Sequence, residues 1–254
     1  MASSLIGSRV ERKEDKKFLT GKGRYTADIN LANQTYAYFV RSPHARATIS
    51  KVEISKASNA PGVVKILTGD DLAKDKIGGL IAGWKIVSQD GTDMKCPPHP
   101  PLANNTVNFV GDHVAVAIAE TLDQAKDAAE KVRVDYKVLK AIVKTGDALN
   151  SKAIHDGIDK NLCFDFLLGD KGKTDEAFSK ADKVVKLDLV NNRLIPNAME
   201  PRAAIGDYNS SSEELTLYTA SQNPHLSRLI LSAFNAVHPE HKFRIVAPDV
   251  GGGF

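Results

Sequence analysis

The sequence predicts an α+β protein of two domains, on three observations. Its 254 residues, 42% hydrophobic and 26% charged, have an ordinary globular composition, and at roughly 150 residues per domain that length makes about two cores. In the first half, short alternating apolar segments lead to a capped helix and then another alternating segment. Near the end, the clearest helix of the chain runs into a strand and then into a run of glycines.

Charge and composition exclude several function classes. A formal net charge of +3 is too small for a nucleic-acid binder, and the basic cluster Lys13, Lys16 and Lys17 is broken by Glu14 and Asp15; it reads as a solvated face. No apolar run approaches the ~18 residues of a membrane helix; the longest clean one, Val114 to Ala119, has the length of a strand. Met1 to Ile6 is too short for a signal-peptide core and charge begins at Arg9, so a cytoplasmic protein is expected. Cys96 and Cys163, the only cysteines, supply neither the four ligands of an ordinary iron–sulfur cluster nor a cysteine-only zinc site.

Residues 1–34 are polar and turn-rich. Thr35 to Val40 reads as a strand, Ile49, Val52 and Ile54 as another, Ser55 to Ala60 as a turn of helix stopped by Pro61-Gly62, and Val63 to Leu67 as a third strand. The stretch from Lys74 to Ala103 shows no period. Loops of that length are functional, partner-contacting or disordered, and Trp84 either anchors such a contact or packs inside. Order returns over Val107 to Ala119. Thr121-Leu122-Asp123-Gln124 has the form of a capping box, and Leu122, Ala125, Ala129 and Val132 mark one helix face. Val132 to Tyr136 alternates as a strand.

From Ile142 to Gly172 the pattern weakens, which sets the domain boundary near residue 145: a first domain over 1–145 and a second over 146–254. Within the second, Val185, Leu187 and Leu189 alternate as a strand, and Arg202 to Tyr208 pairs with Leu215 to Ala220 across the turn at Asn209 to Ser212. Asn223-Pro224 starts a helix whose apolar positions are Leu226, Leu229, Ile230, Ala233, Phe234 and Val237, ended by His238-Pro239. Phe243 to Ala247 is a strand leading into Pro248-Asp249-Val250-Gly251-Gly252-Gly253-Phe254.

Consecutive glycines cost backbone entropy, but they let main-chain N–H groups approach a ligand with no Cβ in the way and form an anion-binding nest; the structural alternative is a flexible turn. Gln222, just before a helix N-terminus, offers a neutral amide beside a positive helix end, or is an ordinary surface glutamine. His238 and His241 are separated by a proline and lack a ligand set; His238 is better read as a residue at a helix C-terminus. His44, His99 and His113 lie in loop or turn contexts and read as structural or solvated. No GxSxG motif supports hydrolase chemistry.

Taken in order, several short motifs resemble the molybdenum-bearing large subunit of the xanthine dehydrogenase family, on the aerobic carbon monoxide dehydrogenase side. They are Leu19-Thr20-Gly21-Lys22-Gly23, Val40-Arg41-Ser42-Pro43-His44-Ala45, Pro61-Gly62-Val63-Val64, Leu67-Thr68-Gly69, Gly83-Trp84, Pro98-His99-Pro100 with Leu102-Ala103, and Val110-Gly111-Asp112. In the second half they are Met199-Glu200-Pro201-Arg202, Gln222 with Pro224-His225, and Ala247 to Phe254. The resemblance implies an α/β hammerhead domain followed by the opening of a molybdopterin-binding domain. It implies that Gln222 hydrogen-bonds an oxo ligand of molybdenum and that Gly252, Gly253 and Phe254 present backbone N–H groups to the same cofactor, with Glu200 structural. It also implies a molybdenum–molybdopterin cofactor in the cytosine dinucleotide form, a medium FAD subunit and a small 2Fe–2S subunit as partners, and a dimer of heterotrimers. The family's catalytic glutamate lies beyond the GGGF motif at which this chain ends, so the chain by itself holds no catalytic residue and is expected to be inactive. The alternative from another class is a non-catalytic hammerhead module that docks partner subunits through the Lys74–Ala103 loop.

Overall fold

The computed structural model describes residues 6–253; Met1 to Leu5, the front of the segment weighed above as a leader, and Phe254 lie outside them. The first element is the short helix α1 (Asp15–Leu19), in the stretch read as polar and turn-rich. Two compact units follow from the backbone contacts: Thr35–Leu194, and the described parts of Met1–Gln34 together with Ile195–Phe254.

The unit over Thr35–Leu194 is built from β1 (Tyr36–Arg41), β2 (Ala47–Glu53), α2 (Ser55–Ser58), β3 (Val63–Thr68), α3 (Gly69–Lys74), β4 (Thr106–Val107), β5 (His113–Ala119), α4 (Leu122–Lys131), β6 (Arg133–Val138) and α5 (Lys171–Ser179). Two antiparallel sheets result, one in the order β1-β5-β3 and the other in the order β4-β2-β6. β5 is the central strand and its two faces do different work, because side chains alternate along a strand. Ala115 and Ala117 pack with Ala128, Ala129 and Val132 of the α4 segment, while Val114 packs with Ala47, Ala103 and Val107. Burial on both faces is why Val114 to Ala119 reads as an unbroken apolar run. The alanines let helix and sheet backbones approach closely, and each core is correspondingly intolerant of added volume.

The capping box forms as expected: Thr121 Oγ1 accepts from the Gln124 N–H at 3.2 Å and Gln124 Oε1 accepts from the Thr121 N–H at 3.1 Å. Ala125, Ala129 and Val132 of the expected helix face are buried, joined by Ala128, while Leu122 is 42% exposed. The Lys74–Ala103 stretch forms no regular element after α3, but backbone bonds pin it. Leu80 N–H donates to His99 O at 2.8 Å, Lys95 N–H to Cys163 O at 3.0 Å and Gln89 N–H to Asp165 O at 2.9 Å. Trp84 stands 83% exposed, so it is not a packing residue of this unit. α3 and α5 were not expected. α5 starts where the Asp170 carboxylate accepts from the Lys173 N–H at 3.0 Å.

One expected strand is absent. Val185, Leu187 and Leu189 are 83%, 74% and 81% exposed and pair with no strand among the described residues. Alternation is a necessary pattern for a strand, but a strand also needs a hydrogen-bonding neighbour, and a single sequence does not disclose whether one is there.

In the other unit, β7 (Ala204–Asn209) and β8 (Glu214–Thr219) form the expected hairpin. Helix α6 (Pro224–Ala233) then crosses to β9 (Phe243–Val246), which pairs in parallel with β8 from Leu215↔Phe243 to Tyr218↔Val246. Pro224 occupies the first turn of α6, as expected, although Asn223 makes no side-chain cap bond. The helix ends earlier than the apolar spacing implied: Phe234 is its C-cap and Ala236 adopts φ 53°. His238 therefore does not close the helix. Its Nε2 lies 2.8 Å from Glu213 O and its ring meets Tyr208 and Phe243 edge-on.

Candidate functional site

The β8–α6–β9 crossover decides where the candidate residues go. Because β8 and β9 are parallel neighbours, both point their carboxyl ends the same way. In open α/β sheets the crevice beyond those ends is the usual ligand site. Gln222 lies just past the end of β8, and the loop Ala247 to Gly253 just past the end of β9. Residues far apart in the chain are thereby set side by side.

The contact is close. A Cβ built on Gly253 would lie 2.9 Å from Gln222 Nε2 and 3.2 Å from its Cδ, so the Gln222 amide stands directly over the α-carbon of Gly253. Gly252 adopts φ 152°, a conformation that favours glycine. Gln222, Gly252 and Gly253 are all exposed. No hydrogen-bond partner among the described residues engages the Gln222 amide or the N–H groups of Gly252 and Gly253. A cradle of free main-chain donors beside a neutral amide suits an oxygen-rich anionic group. Phe254, the fourth expected contact residue, lies outside the described residues.

The loop is fastened at two further points that the sequence did not reveal. Gly251 N–H donates to Glu200 Oε2 at 2.6 Å, and Thr26 N–H donates to Glu200 Oε1 at 3.4 Å. At the head of the loop, Asp249 Oδ2 accepts from the Arg24 N–H at 2.7 Å, Asp249 N–H donates to Arg24 O at 3.1 Å, and Lys17 pairs with Asp249 Oδ1. The N-terminal arm thus holds the glycine loop through Lys17, Arg24 and Thr26. The only advance sign was that Leu19 to Gly23, Met199 to Arg202 and Ala247 to Phe254 all belong to the motif series; nothing in their spacing joins them.

The Lys17 hydrogen bond first, and then the Arg24 N–H, hold the Asp249 carboxyl below the ordinary carboxylate range. A depressed acid contributes stability above its unfolded value and loses it as pH falls through the folded one. The arm–loop tie should therefore persist unchanged from neutral pH down to about pH 4, the usual Asp range, and loosen only below that. In Lys17→Met the carboxyl should titrate closer to its ordinary value, so loosening begins at a higher pH. A carbon-13 NMR titration of Asp249 measures this; identical curves for the two proteins would contradict it.

Comparison with known proteins covers both halves of the chain. Residues 20–140 match the aldehyde oxidase and xanthine dehydrogenase a/b hammerhead domain, and residues 154–254 match the molybdopterin cofactor-binding domain. The chain belongs to the xanthine dehydrogenase family of molybdopterin-binding subunits. It is 34% identical over 265 residues to the carbon monoxide dehydrogenase large chain of Afipia carboxidovorans, covering 98% of this chain and 31% of that one. It is 32% identical over 251 residues to the nicotine 6-hydroxylase large subunit of Paenarthrobacter nicotinovorans, covering 99% and 30% respectively. Among solved structures, quinoline 2-oxidoreductase from Pseudomonas putida 86 superposes with a TM-score of 0.86 at 33% identity, over 98% of this chain and 31% of that chain. The chain therefore spans about 30% of the length of the curated relatives it matches. No helix among the described residues is long and apolar enough to cross a membrane.

Proposed function

We propose that this chain supplies the front part of the molybdenum-cofactor subunit of an oxidoreductase. The subunit is a molybdenum hydroxylase of the carbon monoxide dehydrogenase-like kind, acting on a small substrate. In this proposal residues 1–145 are the hammerhead domain with its arm and 146–254 the opening of the cofactor domain. Gln222, Gly252, Gly253 and Phe254 contact the cofactor. What supports this is the Gln222 amide lying against Gly253 beside exposed, unengaged glycine N–H groups. The bound cofactor supplies oxidation with oxygen taken from water. The chain's own part is to bind and orient it: the glycine N–H groups donate to its anionic oxygens, and the Gln222 amide donates without adding charge. We further propose the cytosine dinucleotide form of the cofactor, a medium FAD subunit and a small 2Fe–2S subunit as partners, a dimer of heterotrimers and a cytoplasmic location.

The test is to fuse this chain in place of the corresponding front part of the Afipia carboxidovorans large chain and measure molybdenum and pterin in the purified subunit. Stoichiometric cofactor, lost in Gln222→Leu, is the expected result. A folded fusion without molybdenum would overturn the proposal. If that fusion still captured flavin and iron–sulfur subunits, a second reading would stand, a non-catalytic docking module. The observation favouring that reading is the exposed apolar set Leu80, Ile81, Trp84 and Val87 on the Lys74–Ala103 loop.

A further inference from the structure

We propose that Glu200 is a positioning residue for the cofactor, setting which glycine N–H groups face it; this rests on the cofactor reading above. Gly251, Gly252 and Gly253 carry three successive donors, but they are not equivalent. Gly251 N–H is consumed by Glu200 Oε2 at 2.6 Å. Only Gly252 and Gly253 remain to point outward, next to Gln222. The approach leaves no room for adjustment: a Cβ on Gly251 would lie 2.4 Å from Glu200 Cβ and 3.3 Å from its backbone nitrogen. The second carboxylate oxygen reaches Thr26 N–H in the arm at 3.4 Å, so one side chain registers the loop against a separate segment of the same unit.

The charge of Glu200 does not help an anionic ligand; a carboxylate beside the cradle repels it. Its value is geometric: an acceptor at a fixed place turns the Gly251 peptide and with it the next two N–H vectors. Glutamine has the same shape and retains an acceptor oxygen for Gly251 while removing the charge. Its remaining NH2 faces the Thr26 N–H, a donor against a donor, so only the longer bond is lost. Shape and charge therefore make opposite predictions for Glu200→Gln.

Two measurements decide the matter. In the 254-residue chain, amide exchange by NMR should rise at Gly251 by about tenfold or more in Glu200→Ala, as for loss of a charge-assisted hydrogen bond, with β8 and β9 unchanged. In Glu200→Gln, which keeps the Gly251 bond as a weaker neutral one, Gly251 should exchange only about threefold faster than wild type, with Thr26 faster as well. In the fused subunit, pterin content should fall about tenfold in Glu200→Ala and hold in Glu200→Gln. Unchanged Gly251 exchange, undiminished pterin in Glu200→Ala, or a Glu200→Gln variant as poor as alanine would each overturn the proposal while leaving the cofactor reading intact. If Glu200→Ala fails to fold, the Glu200→Gln result alone still decides. Failure of the wild-type fusion to carry pterin would sink the cofactor reading, and this inference with it.

Discussion

Gly251→Ala should abolish cofactor retention in the fused subunit while leaving the rest of the protein folded. The added methyl would sit 2.4 Å from Glu200 Cβ, a separation that forces backbone or Glu200 to move. Either movement breaks the 2.6 Å bond from Gly251 N–H to Glu200. Steric overpacking costs about 1–3 kcal/mol, and loss of a hydrogen bond to a charged group adds about 1.5–3 kcal/mol. The two fall on a few loop residues, so the loop yields before the sheet does. Gly206→Ala is the matched control, since a Cβ there meets nothing within 4 Å. Molybdenum and pterin analysis of both fused variants, with thermal unfolding of the 254-residue chains, separates local from global loss. Equal cofactor content in Gly251→Ala and Gly206→Ala would show that this close approach is irrelevant to the site.

Gly69→Ala should be among the most destabilising single-methyl additions in the hammerhead unit. Gly69 is buried at the start of α3, directly after Thr68, whose N–H and hydroxyl both donate to Asp71 Oδ2 at 2.8 Å. A Cβ at position 69 would lie 2.7 Å from Asn104 Cβ and 2.8 Å from both the carbonyl carbon and oxygen of Ala103. These are not the mobile ends of long side chains. Ala103 is part of the cluster of Ala47, Val107 and Val114, and its N–H donates to His113 O at 2.7 Å. Relief would have to pull a core strand connection out of place. A cost of about 1–3 kcal/mol corresponds to a fall of several degrees in Tm for a unit of this size. Because the clash falls in the hammerhead unit and not at the glycine loop, exchange at Gly251 should not change. A Tm equal to wild type would mean that the 102–105 connection is softer than its packing implies.

Both predictions turn on features of different visibility. The hammerhead strands were legible because each carries its own local signal: β-branched and aromatic runs bounded by Gly, Pro or Asn, and the Thr121–Gln124 capping box. The β7–β8 hairpin was legible for the same reason. Val185 to Leu189 carried an equally good alternation and formed no strand, because pairing is a property of two segments and only one was in view. The end of α6 was misplaced for a related reason. Apolar spacing continues to Val237, but Phe234 is the cap and Ala236 takes a left-handed conformation, which returns the chain towards β9.

For the site, the sequence by itself determined the chemical types: a neutral amide at Gln222, a glycine run after a strand, and two lone cysteines that cannot by themselves supply the four ligands of an ordinary iron–sulfur cluster. Residue identity fixes what a side chain can donate or accept, so these follow without coordinates. Only the tertiary structure decided that Gln222 and Gly253 touch, that Glu200 takes the Gly251 donor, and that Lys17, Arg24 and Thr26 hold the loop. The physical reason is the parallel pairing of β8 with β9 through the α6 crossover. It brings together residues 222 and 253, and the arm contacts bridge more than 170 positions; contacts across such separations leave no periodicity in a single sequence.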